Sequence, residues 1–282
     1  MSRHLAVLGS PISHSKSPDL HSAAYRTLQL NWDYSRVELT AGQLLQFIET
    51  LDGDWLGLSL TMPLKEETLR VANEKSQLAI ATGVANTLLR TTTGWKAFNT
   101  DVFGIQRAIA SAVEVTPKRI VIIGSGATAA SAVFAARGLY AEAKITVCAR
   151  NAKSANQLQQ RAASNGIKIA TSTLRKLRPL LSKAHIVIST LPSGALDSAA
   201  AKLRRNAFFK PSAILLDVAY DPWPSEIASV FESKQARVIS GVEMLIWQAI
   251  AQIRIFNHNN IDVELPNERA VELAMRHSLG LI

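Results

Sequence analysis

Four β-branched residues, Ile120-Val121-Ile122-Ile123, run into Gly124-Ser125-Gly126-Ala127-Thr128-Ala129, and a second apolar run, Ile145-Thr146-Val147-Cys148, ends at Ala149-Arg150-Asn151. This spacing predicts a strand, a tight turn, a helix and a second, parallel strand. Gly124 suits the tight turn, Gly126 lets the backbone approach a diphosphate, and Ala129 stands where a small residue allows helix and strand to pack closely. The pattern is that of a dinucleotide loop opening a Rossmann-like unit. More than a hundred residues precede it, so a different ligand is handled first.

The tip of the second strand decides between nicotinamide cofactors. NAD-preferring folds place Asp or Glu there for the ribose hydroxyls, whereas this chain has Ala149 and Arg150. An arginine favours a 2′-phosphate, although a solvated strand end is also an ordinary place for one.

At 282 residues with 48% hydrophobic content, the chain is expected to form two domains. Its one cysteine, Cys148, falls in a predicted strand, which excludes a disulfide framework and fits a reducing, cytoplasmic compartment. No apolar run is long enough for a membrane span, and Arg3 leads directly into the strand-like Leu5-Ala6-Val7-Leu8. Residues 1–101 hold 9 Lys/Arg against 10 Asp/Glu, residues 102–239 hold 19 against 7, and residues 240–282 hold 3 against 5. The positive excess therefore belongs to the nucleotide segment. Its clusters, Arg175-Lys176-Leu177-Arg178 and Lys202-Leu203-Arg204-Arg205, have the spacing of solvated helix faces without interleaved aromatics, so no nucleic-acid partner is expected. Six histidines without ligand spacing and a single cysteine point to no metal site.

The first hundred residues alternate on their own: strands at 5–8, 34–39, 56–60, 85–89 and 94–98, and helices at 20–28 and 44–51. Polar residues gather at the predicted strand ends, namely Ser15, Ser17, Ser59, Thr61, Lys65, Asn86 and Asp101. Hydroxyls, an amide, an ammonium and a carboxylate suit a small polyhydroxylated acid, and a lysine beside an aspartate can move a proton at an alcohol carbon. Each also has a structural reading. Ser17 before Pro18 is placed to cap a helix, Asp101 to cap the helix starting near Val102, and Lys65 to sit solvated in a first turn.

Taken in order, Gly9-Ser10-Pro11-Ile12-Ser13-His14-Ser15-Lys16-Ser17-Pro18, Leu60-Thr61-Met62-Pro63-Leu64-Lys65, Gly83-Val84-Ala85-Asn86-Thr87-Leu88, Asn99-Thr100-Asp101, the glycine loop, Ala219-Tyr220-Asp221-Pro222 and Gly241-Val242-Glu243-Met244-Leu245-Ile246-Trp247-Gln248 resemble the shikimate dehydrogenase family across nearly the whole chain. The resemblance implies NADP-dependent interconversion of 3-dehydroshikimate and shikimate, a step of aromatic amino acid biosynthesis. It implies Lys65 and Asp101 as the catalytic pair. It assigns Ser15 and Ser17 to the substrate carboxylate, Thr61, Asn86 and Gln248 to ring hydroxyls, and Tyr220 to an approach from the cofactor side. The cofactor set expected with it is Gly124, Ser125, Gly126, Ala127, Thr128, Arg150, Asn151, Thr190 and Gly241.

The implied architecture is α/β: a substrate domain over 1–102 completed by 240–282, and a Rossmann-like NADP domain over 103–239. The C-terminal helical segment returns to the first domain, and the chain acts as a monomer or homodimer. Met244 to Phe256 has helical apolar spacing, with only Gln248 required to face the ligand. Three positions depart from the family pattern: Ser59 where Asn is usual, Phe98 where Asp precedes Asn-Thr-Asp, and Ala149 where a polar residue leads the arginine. A quinate or dual-specificity enzyme using NAD would share most motifs; the missing acid at 149 or 150, and Ser17 where threonine is often found, argue against it. A non-catalytic nucleotide-binding regulator would not need both Lys65 and Asp101. Amino-acid and methylenetetrahydrofolate dehydrogenases share the fold but would lack the serine pair and the Gln248 helix.

Overall fold

The computed structural model describes residues 3–113 and 116–282. It divides into two units, residues 1–100 with 245–282, and residues 101–244.

The first unit opens with β1 (Arg3–Gly9), α1 (Ser17–Thr27), β2 (Trp32–Glu38), α2 (Leu44–Glu49), β3 (Trp55–Leu60), α3 (Thr68–Val71), β4 (Glu74–Lys75), α4 (Gln77–Thr82), β5 (Thr87–Thr91) and β6 (Gly94–Phe98). Its six-stranded sheet has the order β2-β1-β3-β5-β6-β4. β1 runs parallel to β2 and β3, while β5 is antiparallel to β3 and β6. The two-residue periodicity of a strand sorts β3 between two faces. Leu58 and Leu60 join Leu8, Leu44, Leu64, Leu88 and Trp95 in one core. Gly57 and Ser59 point the other way.

The second unit contains α5 (Asp101–Ala110), β7 (Arg119–Ile123), α6 (Ala127–Leu139), β8 (Lys144–Ala149), α7 (Ala152–Ser164), β9 (Ile169–Thr173), α8 (Leu177–Leu181), β10 (Ile186–Ser189), α9 (Asp197–Arg204), β11 (Ile214–Asp217), α10 (Glu226–Ser233) and β12 (Val238–Ser240). All its strands are parallel, in the order β12-β11-β10-β7-β8-β9. That is the doubly wound arrangement, reversing direction between β7 and β10, where open sheets bind their ligands. The central strands β7, β10 and β11 are buried on both faces, so they read as continuous apolar runs rather than alternating ones. Ala-rich α6 keeps Ala129, Ala132, Val133 and Ala136 buried, which permits close packing on the sheet.

α11 (Gly241–His258) starts in the second unit and from Leu245 belongs to the first, followed by α12 (Glu268–Ser278), which packs on α1. Gly57 is where α11 meets the sheet: a Cβ there would lie 2.6 Å from Phe256 Cδ1, so the Phe256 ring occupies the space the glycine leaves.

Several boundaries differ from expectation. The first helix begins at Ser17, not Leu20; Lys16 takes the capping position without a side-chain bond, so Ser17 is the first helical residue and not the cap. The fifth strand starts at Thr87, which leaves Ala85 and Asn86 in the preceding loop. The helix expected from Met244 starts three residues earlier.

Candidate active site

The register of the first sheet brings four chain segments to one edge. β1 and β3 run parallel and end together, with Leu8 beside Leu60. β5 starts at that same edge, Thr87 opposite Ser59, and β6 finishes there, Phe98 opposite Thr87. The residues following β1 and β3, preceding β5 and following β6 therefore share one rim. These are Ser15 and Ser17, Thr61 and Lys65, Asn86, and Asn99-Thr100.

Backbone bonds tie the segments to one another. Thr61 N donates to Leu8 O at 2.9 Å, Ser10 N to Met62 O at 2.9 Å, Ala85 N to Lys65 O at 2.9 Å, and Asn86 N to Phe98 O at 3.0 Å. Gly9 is required for the closeness of the first two: a Cβ there would meet Thr61 Cγ2 and lie 2.7 Å from Met62 O. The serine loop has its own brace, which the sequence did not signal. Arg36 of β2 donates from Nε and Nη2 to Ser15 O at 2.9 and 2.5 Å, while Ser17 N donates to Ser15 Oγ at 3.3 Å. Both serines are buried. Lys65 is half-buried, and the turn that carries it is anchored by buried Glu67, whose carboxylate accepts from Gly42 N at 2.9 Å and Leu44 N at 3.2 Å.

The Asn86 side chain is held from several sides. Its Oδ1 accepts from Thr100 N at 2.8 Å and Thr87 Oγ1 at 2.9 Å, and its Nδ2 donates to Thr100 Oγ1 at 2.9 Å and to Gln248 Oε1 at 3.3 Å. Gln248 of α11 thus stands beside Asn86, with its own Nε2 donating to Leu245 O at 2.9 Å. Ser59 is buried and turned to neighbouring side chains: it accepts from Tyr34 Oη at 2.6 Å and donates to Gln252 Oε1 at 2.9 Å. Gln252 went unnoticed in the sequence, although its place four residues after Gln248 puts it on the same helix face. His21 was also missed. It stacks on Tyr34 with centroids 3.9 Å apart, and burial lowers its pKa to about 3, so it is neutral.

In the second unit, the β7–α6 turn and the end of β10 flank the reversal point of the sheet. Gly124 has φ +115°, in the left-handed region, and a Cβ there would collide with Thr190 Oγ1. Thr190 Oγ1 in turn donates to Ile123 O at 2.8 Å. Gly126 occupies the capping position of α6 with open space where a Cβ would stand, and no side chain caps the helix. The first-turn N–H groups at Ala127 and Thr128 and the helix dipole suit a phosphate approaching through that space. Ser125 O accepts from Ser154 Oγ at 2.9 Å. Arg150 is exposed just past β8. Asn151 is already employed, its side chain accepting from Ser154 N at 3.2 Å as the cap of α7.

Gly241 has a packing reason of its own: a Cβ would lie within 2.9 Å of Val218 Cα and closer still to its carbonyl. Tyr220 follows β11 on a loop held at both ends by Asp217, which accepts from Ala219 N at 3.4 Å and Ser225 Oγ at 2.5 Å. Burial raises the Asp217 pKa against the pull of those bonds. Asp101, buried, heads α5 immediately after Thr100. Among the described residues no group of His, Cys, Asp and Glu could hold a metal, and no helix is long and apolar enough to cross a membrane.

Comparison with known proteins bears on both units. Residues 7–88 match the shikimate dehydrogenase substrate binding domain, and residues 93–241 match the C-terminal domain of alanine dehydrogenase/PNT. The crystal structure of Mycobacterium tuberculosis shikimate dehydrogenase is 36% identical with a TM-score of 0.83, covering 98% of this chain and 99% of that one. A Thermus thermophilus shikimate 5-dehydrogenase, solved with NADP(H) and shikimate, is 26% identical with a TM-score of 0.79, covering 98% and 99%. The shikimate dehydrogenase (NADP(+)) of Methanosarcina barkeri is 31% identical over 280 residues, 96% of this chain and 99% of that protein. The chain belongs to the shikimate dehydrogenase family.

Proposed function

We propose that the protein is an NADP-dependent shikimate dehydrogenase, reversibly reducing 3-dehydroshikimate to shikimate. The observation that carries this reading is the shared rim of the first unit. The serine pair, Thr61, Lys65 and Asn86 end up there although they come from separate segments of the chain, with Gln248 beside Asn86. The named relatives that match nearly the whole chain support it.

Ser15 and Ser17, braced through Arg36, would donate to the substrate carboxylate. Thr61, Asn86 and Gln248 would bind the ring hydroxyls, for which amides and hydroxyls that both donate and accept are suited. Tyr220 would add a contact from its loop after β11. In the reducing direction, Lys65 would hold its proton against the carbonyl oxygen at C3, stabilise the alkoxide forming there, and release the proton to it; Asp101 would orient the ammonium. Oxidation of shikimate runs the same transfer backwards, the C3 hydroxyl giving its proton to the pair.

NADPH, when bound, supplies the hydride that reaches the C3 carbon. The open space at Gly126 and the uncapped start of α6 fit its diphosphate, with Ser125, Ala127 and Thr128 at the turn, and exposed Arg150, beside the Asn151 that caps α7, would take the 2′-phosphate end. Thr190 after β10 and Gly241 after β12 complete the set. Every residue in this scheme comes from one chain, in keeping with a monomer or a homodimer, and the buried Cys148 thiol, pushed up to about 11, fits a reducing cytoplasm.

The test is steady-state turnover of the purified protein with shikimate and quinate, each against NADP and NAD, following nicotinamide absorbance. Shikimate with NADP should be the preferred pair. Preference for quinate with NAD would move the protein to the sister branch, and absence of turnover in all four arms would leave a nucleotide-binding regulator.

A further inference from the structure

Gln252 is 1% exposed and has no part in the chemistry above, yet it uses its whole hydrogen-bonding capacity. Its Nε2 donates to Asn86 O at 3.2 Å and Thr87 Oγ1 at 3.1 Å. Its Oε1 accepts from Ser59 Oγ at 2.9 Å and from His21 Nε2 at 3.3 Å. The Asn86 backbone carbonyl can only accept, so the amide nitrogen of Gln252 must face it and the oxygen must face Ser59 and His21. His21 therefore carries its proton on Nε2, and its Nδ1 accepts from Tyr25 Oη at 2.9 Å.

The same polarity passes to the substrate residues. Thr87 Oγ1 receives the Gln252 N–H and spends its own proton on Asn86 Oδ1 at 2.9 Å. With Thr100 N also donating to that oxygen, the Asn86 amide is turned with its nitrogen toward Gln248. Gln252 also grips Asn86, just before β5, and Thr87, its first residue, from a point one turn beyond Gln248, so it fixes the rotation of α11 about its axis.

We infer that Gln252 is a positioning residue. Through Thr87 and the Asn86 carbonyl it sets the Asn86 amide, and through the phase of α11 it brings Gln248 alongside. The inference rests on the proposed role of Asn86 and Gln248 in binding the substrate.

The experiment measures KM for shikimate, KM for NADP, kcat and thermal midpoint in Gln252→Leu, Gln252→Glu, Thr87→Val and the double variant Gln252→Leu/Thr87→Val. Ser59→Ala serves as reference, since it removes a hydrogen bond from the far side of Gln252 without touching Asn86. In Gln252→Leu and Thr87→Val the KM for shikimate should rise about tenfold, with the KM for NADP and kcat within about twofold. The double variant should be no worse than the worse single, because both cut one chain of bonds. Gln252→Glu, nearly isosteric, covers the case in which the leucine variant does not fold; it should raise the same KM, because a carboxylate cannot donate to Asn86 O. Ser59→Ala should lower the midpoint while leaving the KM for shikimate within about twofold.

An unchanged KM for shikimate in the foldable Gln252 variants overturns the inference. So does a KM that rises equally in Ser59→Ala at a matched midpoint. A wild-type protein without shikimate turnover removes the functional reading and this inference together, whereas active wild type with unchanged variants removes the inference alone.

Discussion

A methyl group at position 124 has no room, and the same is true at position 9, but under the proposed function the two glycines serve different ligands. At Gly124 the backbone lies at φ +115° and the added carbon would strike Thr190 Oγ1. Gly124→Ala should cost about 1–3 kcal/mol of stability and raise the KM for NADP about tenfold or more, with the KM for shikimate nearly unchanged. At Gly9 the added carbon would push Thr61 and Met62 away from the serine loop. Gly9→Ala should therefore give the reverse pattern, a raised KM for shikimate with the KM for NADP preserved. Kinetics with each ligand varied in turn decides the matter; equal effects on both constants in either variant would contradict the assignment of these loops.

At the scale of elements, the βαβ unit was legible because β7 is apolar and buried from Ile120 to Ile123 and β8 is mostly so from Ile145 to Ala149, and because the turn between them needs small residues in sequence. The strand-end polar residues were legible for a similar reason: each sits in a short local motif. What escaped was whatever depends on partners distant in sequence. Arg36 braces Ser15 from 21 residues away, and Gln252 reaches Ser59 across 193. The anchoring of α11 to α12 is of the same kind. Arg254, buried, meets Glu268 through Nε at 2.6 Å and Nη2 at 2.5 Å, and its Nη1 donates to Ile261 O at 3.0 Å. Removing one partner of such a pair strands a buried charge, so Arg254→Met should lose about 3–5 kcal/mol in urea unfolding. A loss below about 1 kcal/mol would mean that the pair behaves as an exposed one.

For the molecule as a whole, two consequences reach beyond single contacts. Folding keeps His21 neutral down to about pH 3, while in the unfolded chain it takes up a proton near its ordinary 6.5. The unfolded state then binds more protons throughout that window, so stability is complete above about 6.5 and falls as pH drops toward 3. Unfolding free energies measured from pH 7 to 4 should lose part of this slope in His21→Phe; an unchanged slope would show that the residue titrates normally. The other consequence is the division of labour in the proposed function, in which Ser15, Ser17, Thr61, Asn86 and Gln248 belong to the first unit and the cofactor residues to the second, which also carries Tyr220, with Lys65 of the first and Asp101 of the second as the proton-handling pair. The most direct test is kcat for shikimate oxidation in Lys65→Ala and Asp101→Asn, alongside equilibrium binding of shikimate and NADP. The account predicts that kcat falls by about a hundredfold or more in each, while both ligands still bind within about tenfold of wild type. Near-normal kcat in either variant, with folding intact, would contradict it.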